Sequence, residues 1–184
     1  MHGRLICLSI ICSVLLLSGC ETTTSRPYSE STDNVLKFQS ILGKADIKVH
    51  LGGFSENPEI GELTCRLMGP VDVASGKSKA EYIKEAMQKE LFLAQVYAVD
   101  SEVEITGLLD SATFSSVSPA FWELGFTISS DKSEGFSITT KYPFKTSYSA
   151  YSACQNVADA FGPAVQQLID NIVSHPEFGR LVGI

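Results

Sequence analysis

The sequence predicts an α+β fold. It reads as a two-layer sandwich, with an antiparallel sheet of about five strands carrying two amphipathic helices on one face, in the order β-β-α-β-β-β-α. Three observations predict it. Apolar residues alternate at period two in five short runs and recur at helical spacing in two longer ones. The runs lie within residues 35–184, about 150 residues, the size of one domain with a single core. A sheet with one apolar face and helices with one apolar stripe bury both by packing against each other.

The elements follow in order. From Lys44 to Leu51, the residues Ala45, Ile47, Val49 and Leu51 share one face while Lys44, Asp46, Lys48 and His50 share the other. That is a half-buried strand, which Gly52-Gly53 is expected to stop. Glu62 to Met68 alternates again through Leu63, Cys65 and Leu67 before the turn pair Gly69-Pro70. Ser78-Lys79-Ala80-Glu81 fits a capping box, in which side chains satisfy the N–H groups that a first helical turn leaves orphaned. Ile83, Met87, Leu91 and Ala94 then recur at helical spacing, and the helix is expected to end near Gln95.

Three strands come next. Val103, Ile105, Gly107 and Leu109 form one apolar stripe, and Trp122, Leu124, Phe126 and Ile128 form another. A polar loop at residues 131–135 leads to a return strand with Phe136, Ile138, Thr140, Tyr142 and Phe144 on one face. Pro143 marks that strand as an edge or as the end of pairing. The last element is helical from about Ser149 to Val173, with Cys154, Val157, Ala158, Phe161, Val165, Leu168, Ile169 and Ile172 on its apolar stripe. Gly162-Pro163 predicts a kink or two consecutive helices, and His175-Pro176 the end.

Ahead of the domain stand an address and a tether. Arg4 is the one strong charge before 13 residues, Leu5 to Leu17, that are apolar except for Ser9 and Ser13. Such a run suits a signal peptide and is shorter than the roughly 20 apolar residues that span a bilayer. It closes on Leu17-Ser18-Gly19-Cys20, which resembles the bacterial lipobox. The resemblance implies cleavage between Gly19 and Cys20, a diacylglycerol thioether on the Cys20 sulfur and an acyl chain on its new amino group. More than one chain gives stable attachment where a single one does not. The alternatives are an ordinary secretory signal with a chance cysteine, or an uncleaved anchor helix. Glu21 stands where many enterobacterial lipoproteins retained at the inner membrane have Asp, so the outer membrane is the expected destination, the inner membrane or cell surface the alternatives. Residues 20–34, polar and rich in Ser and Thr, read as the acylated cysteine and a flexible tether.

The net charge is −7, and −8 once residues 1–19 with their lone Arg4 are removed. That excludes nucleic acid and electrostatic docking on anionic lipid as expectations, and leaves Cys20 as the whole membrane attachment. Cys7 and Cys12 leave with the signal, so Cys65 and Cys154 remain. In an oxidising compartment they are expected to pair, the alternative being two buried thiols. No C-x-x-C is present and only His50 and His175 survive maturation, so no metal or cofactor is expected beyond the lipid on Cys20.

The run Val157-Ala158-Asp159-Ala160, then Leu168-Ile169-Asp170-Asn171-Ile172 and His175 to Phe178 resembles the tail of the YajG-like small outer-membrane lipoproteins. The likeness covers about residues 80–180, is one of pattern, and implies a fold and a location without site residues.

Catalytic motifs are not legible. Gly53-Phe54-Ser55-Glu56-Asn57 lacks the last glycine of a nucleophile elbow, and phosphate-cradling glycine motifs are missing. His50 on a strand's polar face and His175 at a helix end read as solvated residues. Between Phe121 and Tyr151 aromatics crowd, either as core and cross-strand pairs or as a groove for an acyl chain or a partner's segment. Trp122, Tyr148 and Tyr151 are the candidate binding surface. Three functions follow: a lipid-anchored, non-catalytic accessory or binding subunit of an envelope assembly with a protein partner; an amphiphile carrier; and, last, an enzyme.

Overall fold

The computed structural model describes Thr22–Thr23 and residues 26–184. The signal-like segment, Gly19 and Cys20 lie outside the described residues. The elements are β1 (Thr22–Thr23), α1 (Thr32–Phe38, running on through a π-helical turn at Gln39–Gly43), β2 (His50–Glu56), β3 (Val71–Asp72), α2 (Lys79–Leu93), β4 (Glu104–Ser115), β5 (Phe121–Ser130), β6 (Ser133–Pro143), α3 (Ala150–Val173) and α4 (Phe178–Leu181).

The architecture is α+β, with the helices packed against an open four-stranded sheet in the order β2-β4-β5-β6. The sheet has four strands where about five antiparallel ones were expected, and β2 pairs with β4 in parallel. The missing strand is the run Glu62–Met68. Its alternation survives only as a bridge between Thr64 and Pro70, because Arg66 takes a left-handed φ of 51° and turns the chain. Gly52-Gly53 does not stop the first strand. The register shifts between Leu51 and Phe54, so the glycines form a bulge inside β2. A Cβ at Gly52 would fall 1.9 Å from Oε1 of Glu104, which is why the bulge needs a residue without one. The strand also begins later than its pattern suggested, at His50, with Val49 making a single bridge to Tyr97.

β4, β5 and β6 form an antiparallel meander. The inward stripes of β4 and β5 are the expected ones, with Ile105, Leu109, Trp122, Leu124, Phe126 and Ile128 buried, while on the edge strand β6 Thr140 is buried and Phe136, Ile138 and Tyr142 are half-buried. Gly107 is small for a reason. The rings of Phe54 and Phe126 close over it with centroids 5.7 Å apart, and a Cβ there would meet Phe126 Cζ at 2.5 Å.

α2 starts where the sequence placed it, with the Ser78 hydroxyl accepting a 3.0 Å bond from the Glu81 N–H. α3 is one continuous helix with Pro163 inside it, so the two-helix alternative does not apply. Its whole predicted stripe is buried. The chain then adds the short α4, whose Phe178 and Leu181 close the far end of the core.

The tether reading of residues 20–34 does not hold for its second half. Tyr28 and Asn34 are buried, and α1 begins at Thr32, inside the segment. Polar composition was misleading here because these polar groups find partners within the fold.

Candidate functional site

The N-terminal segment runs alongside α3. Arg26 pairs with Asp159 at 3.4 Å, and the Gln166 side chain donates to the Ser29 carbonyl at 2.5 Å. Asn34 donates to the Gln166 carbonyl at 3.0 Å, and Lys37 pairs with Asp170. Chain numbers rise together, so the segment runs parallel to α3, from the middle of the helix at Asp159 toward its C-terminal end at Asp170.

Glu90 fastens this segment. Its carboxylate is buried at the C-terminal part of α2. Oε1 accepts from the Tyr28 hydroxyl at 2.6 Å and from the Ser31 N–H at 2.8 Å, and Oε2 accepts from Asn34 Nδ2 at 3.0 Å. Burial pushes the Glu90 carboxyl above the usual carboxylate range, against the opposing pull of these three donors. Burial also raises Tyr28, reinforced by its bond to Glu90 and by the carboxylate's negative charge. The clasp was missed in the sequence, although a signal was present. Glu90 falls seven residues after Ile83 and three after Met87, on the stripe that faces inward.

The three residues proposed as a binding surface separate. Trp122 is a correction: its exposure is 0%, its Nε1 donates to the Val157 carbonyl at 2.8 Å, and its ring packs on Phe114 and Phe161 at 5.0 and 5.1 Å. It is core, with its one polar atom satisfied by a helix carbonyl. Tyr148 is fully exposed and Tyr151 is 65% exposed.

Both tyrosines sit at one end of the fold, with the β4–β5 hairpin, the end of β6 and the start of α3. The Cys65–Cys154 disulfide joins the 64–70 turn to α3 there, with Cα atoms 5.8 Å apart. Arg66 holds the same end together. Its guanidinium donates to the Ser116 carbonyl at 2.8 Å, to the Ser147 carbonyl at 3.2 Å and to the Tyr148 carbonyl at 3.4 Å. Val117 and Tyr148 line one surface pocket there with Arg66, Ser118, Thr146 and Ser147, and Leu67 and Tyr151 are exposed at the same end, on the 64–70 turn and the first turn of α3.

The opposite end carries a second apolar feature. A surface groove of about 560 Å³ is lined by Glu85, Gln88, Lys89, Phe92, Tyr97 and Val99, among others. Phe92 is 69% and Val99 79% exposed. The connections fix the groove at that end: Val49 N–H bonds to the Val96 carbonyl, His50 N–H to the Val103 carbonyl, and Ser130 Oγ to the Leu181 carbonyl just beyond α3. α3 has 24 residues, so at 1.5 Å per residue the two ends stand about 36 Å apart.

The histidines are placed apart. His50 Nε2 lies 3.9 Å from Glu104, and its Nδ1 is buried without a hydrogen-bond partner among the described residues. His175 stacks on Phe136, centroids 3.9 Å apart and rings 12° from parallel, while its Nδ1 accepts from the Glu177 N–H. Among the described residues, no group of three or more His, Cys, Asp or Glu could hold a metal ion, and no helix is long and apolar enough to cross a membrane.

No protein-family model matches the chain, and no curated protein matches it. Among solved structures it is similar to the crystal structure of a DUF330-family protein from Xanthomonas campestris, at 12% identity and a TM-score of 0.44, with 83% of this chain and 87% of that chain covered.

Proposed function

We propose that the protein is a lipid-anchored envelope lipoprotein, acylated on Cys20 and directed to the outer membrane, that acts as a non-catalytic docking subunit of an envelope assembly. The observation that carries the docking role is the groove of Phe92, Tyr97 and Val99, exposed at the end of the fold opposite to the one where Thr22–Thr23 pair with Val71–Asp72. Glu30, further along the same segment, pairs with Lys89 on the groove's rim at 3.7 Å. A domain anchored through that segment presents the groove away from its membrane. Exposed aromatic and aliphatic anchors beside Lys89, Gln88 and Glu85 suit an amphipathic segment of a protein partner, which would bury the apolar side chains and pair its polar flank with the rim.

The carrier reading has less support. Trp122, Phe126 and Phe161, the aromatics that would line an acyl pocket between sheet and helices, are fully buried and two of them pack on each other.

The test places a photo-crosslinking amino acid at Val99 in the full-length protein expressed in bacteria, with the outer sheet position Ser111 as control. The expected result is one discrete protein adduct from position 99 that Phe92→Asp abolishes. Adducts of equal yield from both positions, or none, refute the docking role. Intact-mass analysis of the membrane fraction tests the acylation separately.

A further inference from the structure

We infer that the rim of Leu67, Val117, Tyr148 and Tyr151 is a second membrane contact, and that its occupant is the phospholipid bilayer. The inference rests on the proposed acylation of Cys20 and goes beyond it, since it assigns an orientation to the whole domain.

The first support is the distance between the anchor and the fold. Thr22–Thr23 pair in parallel with Val71–Asp72. An extended chain covers about 3.5 Å per residue, so Cys20 stands within about 7 Å of Thr22. The acylated residue is therefore leashed to the fold far more closely than by a 14-residue free tether.

The second support is direction. Because the pairing is parallel, Thr22 lies at the Val71 end of the pair, next to the turn at 64–70 that precedes Val71. That turn carries Leu67 at its tip, is bonded to α3 by the disulfide, and reaches Ser116, Ser147 and Tyr148 through Arg66. The later contacts, Arg26 with Asp159 and Asn34 with the Gln166 carbonyl, then lead away from this end along α3. Anchor entry and apolar rim thus share one end of the molecule.

The third support is chemistry. Tyrosine is amphipathic and settles at the headgroup level, where its ring meets acyl chains and its hydroxyl meets water. Leu67 is an apolar wedge, and the exposed Lys145 near the end of β6 offers a cation to lipid phosphates. A bilayer held within several ångströms by covalent lipid is present at very high local concentration, so even a weak contact becomes populated. The acidic net charge, which opposes free association with anionic lipid, does not oppose a contact enforced by the anchor.

The experiment uses the full-length acylated protein in vesicles of phosphatidylethanolamine and phosphatidylglycerol, with and without chain-brominated lipid. Trp122 is fully buried and supplies a constant background. Tyr148→Trp is expected to add an emission component that brominated lipid largely quenches, while Phe92→Trp at the far end adds one that it does not quench. Combining Tyr148→Trp with Leu67→Ser and Tyr151→Ser is expected to reduce the quenching. Equal quenching of the two reporters, or none at Tyr148→Trp in protein that floats with the vesicles and carries the acyl mass, overturns the rim assignment alone. Failure to float together with an unmodified Cys20 mass overturns the anchor and the rim together. A benzophenone amino acid at position 148 that captures protein in cells and no lipid overturns the rim assignment in favour of a protein partner.

Discussion

Tyr28 donates a 2.6 Å hydrogen bond to Oε1 of Glu90, and with it the polar segment ahead of α1 becomes part of the fold. Ser31 and Asn34 complete the set of donors around one buried carboxylate. A charge taken out of water is tolerable when its lone pairs are met by donors, and costly when a donor is removed. The clasp therefore gives residues 28–34 a defined path along the fold, which the proposed anchoring would transmit to the orientation of the whole domain.

Glu90→Ala leaves the Tyr28 hydroxyl, the Ser31 N–H and one Asn34 donor facing an empty space. The expected loss of unfolding free energy is about 3 kcal/mol, measured by urea denaturation. Glu90→Gln keeps the two bonds to Oε1 and sets its own N–H₂ against Asn34 Nδ2, so a loss of about 1–2 kcal/mol is expected near neutral pH. Chymotryptic cleavage after Tyr28, which is buried in the clasp, should accelerate in both variants, because the segment is released.

The pH dependence separates Glu90 from other carboxylates. Its folded pKa lies above its unfolded one. Between those values the folded chain holds a proton that the unfolded chain has released, so this group's contribution is fully present below the ordinary carboxylate value and is lost as pH rises through the raised one. The stability difference between wild type and Glu90→Gln should therefore shift against the wild type with rising pH across the window just above the ordinary carboxylate range. A difference that stays flat, or moves the other way, would show that the donors outweigh the burial.

Cys65 and Cys154 are 89 residues apart in sequence, and their bond closes a loop that contains α2 and most of the sheet. In the chain-entropy account, opening a loop of that size costs about 4.6 kcal/mol. Reduced protein, or Cys65→Ala with Cys154→Ala, should unfold at correspondingly lower urea. Since Arg66 still joins the turn to Ser116 and Ser147, the rim is expected to loosen without the rest of the fold melting first. Hydrogen exchange localised to residues 64–70 and the start of α3 would show this order.

The strands and helices that carry a complete apolar stripe were legible in the sequence, and α2, β5 and α3 are the clearest cases. Legibility failed where a local backbone event overrode a side-chain pattern. The left-handed Arg66 turned an alternating run into a loop, and Gly52-Gly53 bent β2 without ending it. It failed again where polar residues pair across long separations. Nothing near Tyr28 or Asn34 in sequence announces Glu90, roughly sixty residues away. Of the candidate surface, the two tyrosines at the helix start were readable as exposed. Trp122 was not, because alternation alone does not say which stripe a second layer covers, and its indole partner, the Val157 carbonyl, belongs to a helix 35 residues on. The Phe92 groove stayed hidden because an exposed aromatic on a helix gains meaning only from what stands beside it.

Trp122 is the single tryptophan, so its emission reports on the core directly. It should be blue-shifted and poorly accessible to acrylamide in the native protein, moving to the red on unfolding. Trp122→Phe removes the bond to Val157 and part of a ring packed on Phe114 and Phe161. A destabilisation of about 2 kcal/mol is expected, with partner binding at the groove unchanged when measured below the melting temperature. A binding defect without loss of stability would return Trp122 to the surface.

The groove makes the opposite prediction. Phe92 and Val99 are exposed, so neither substitution by Asp disturbs a core contact. Unfolding free energy should change by less than about 0.5 kcal/mol for Val99→Asp and by about 1 kcal/mol for Phe92→Asp, whose charge sits in the last turn of α2. A protein segment that covers both would lose its apolar anchors and meet an unpaired carboxylate in a desolvated position, which weakens binding by about 2 kcal/mol or more. Each variant should therefore lose the adduct expected from the crosslinker at Val99 while keeping the fold of the parent protein. Leu36→Asp, at another exposed apolar site, controls for the added charge and should leave the adduct in place. The stronger check is charge reversal. Lys89 pairs with Glu30 at 3.7 Å. If the partner also places an acidic side chain against it, Lys89→Glu should weaken the adduct, and recovery with an acidic-to-basic change in the partner separates that contact from the lost internal pair. Retention of the adduct in both Phe92→Asp and Val99→Asp would mean that the partner sits elsewhere, and the groove would lose its role.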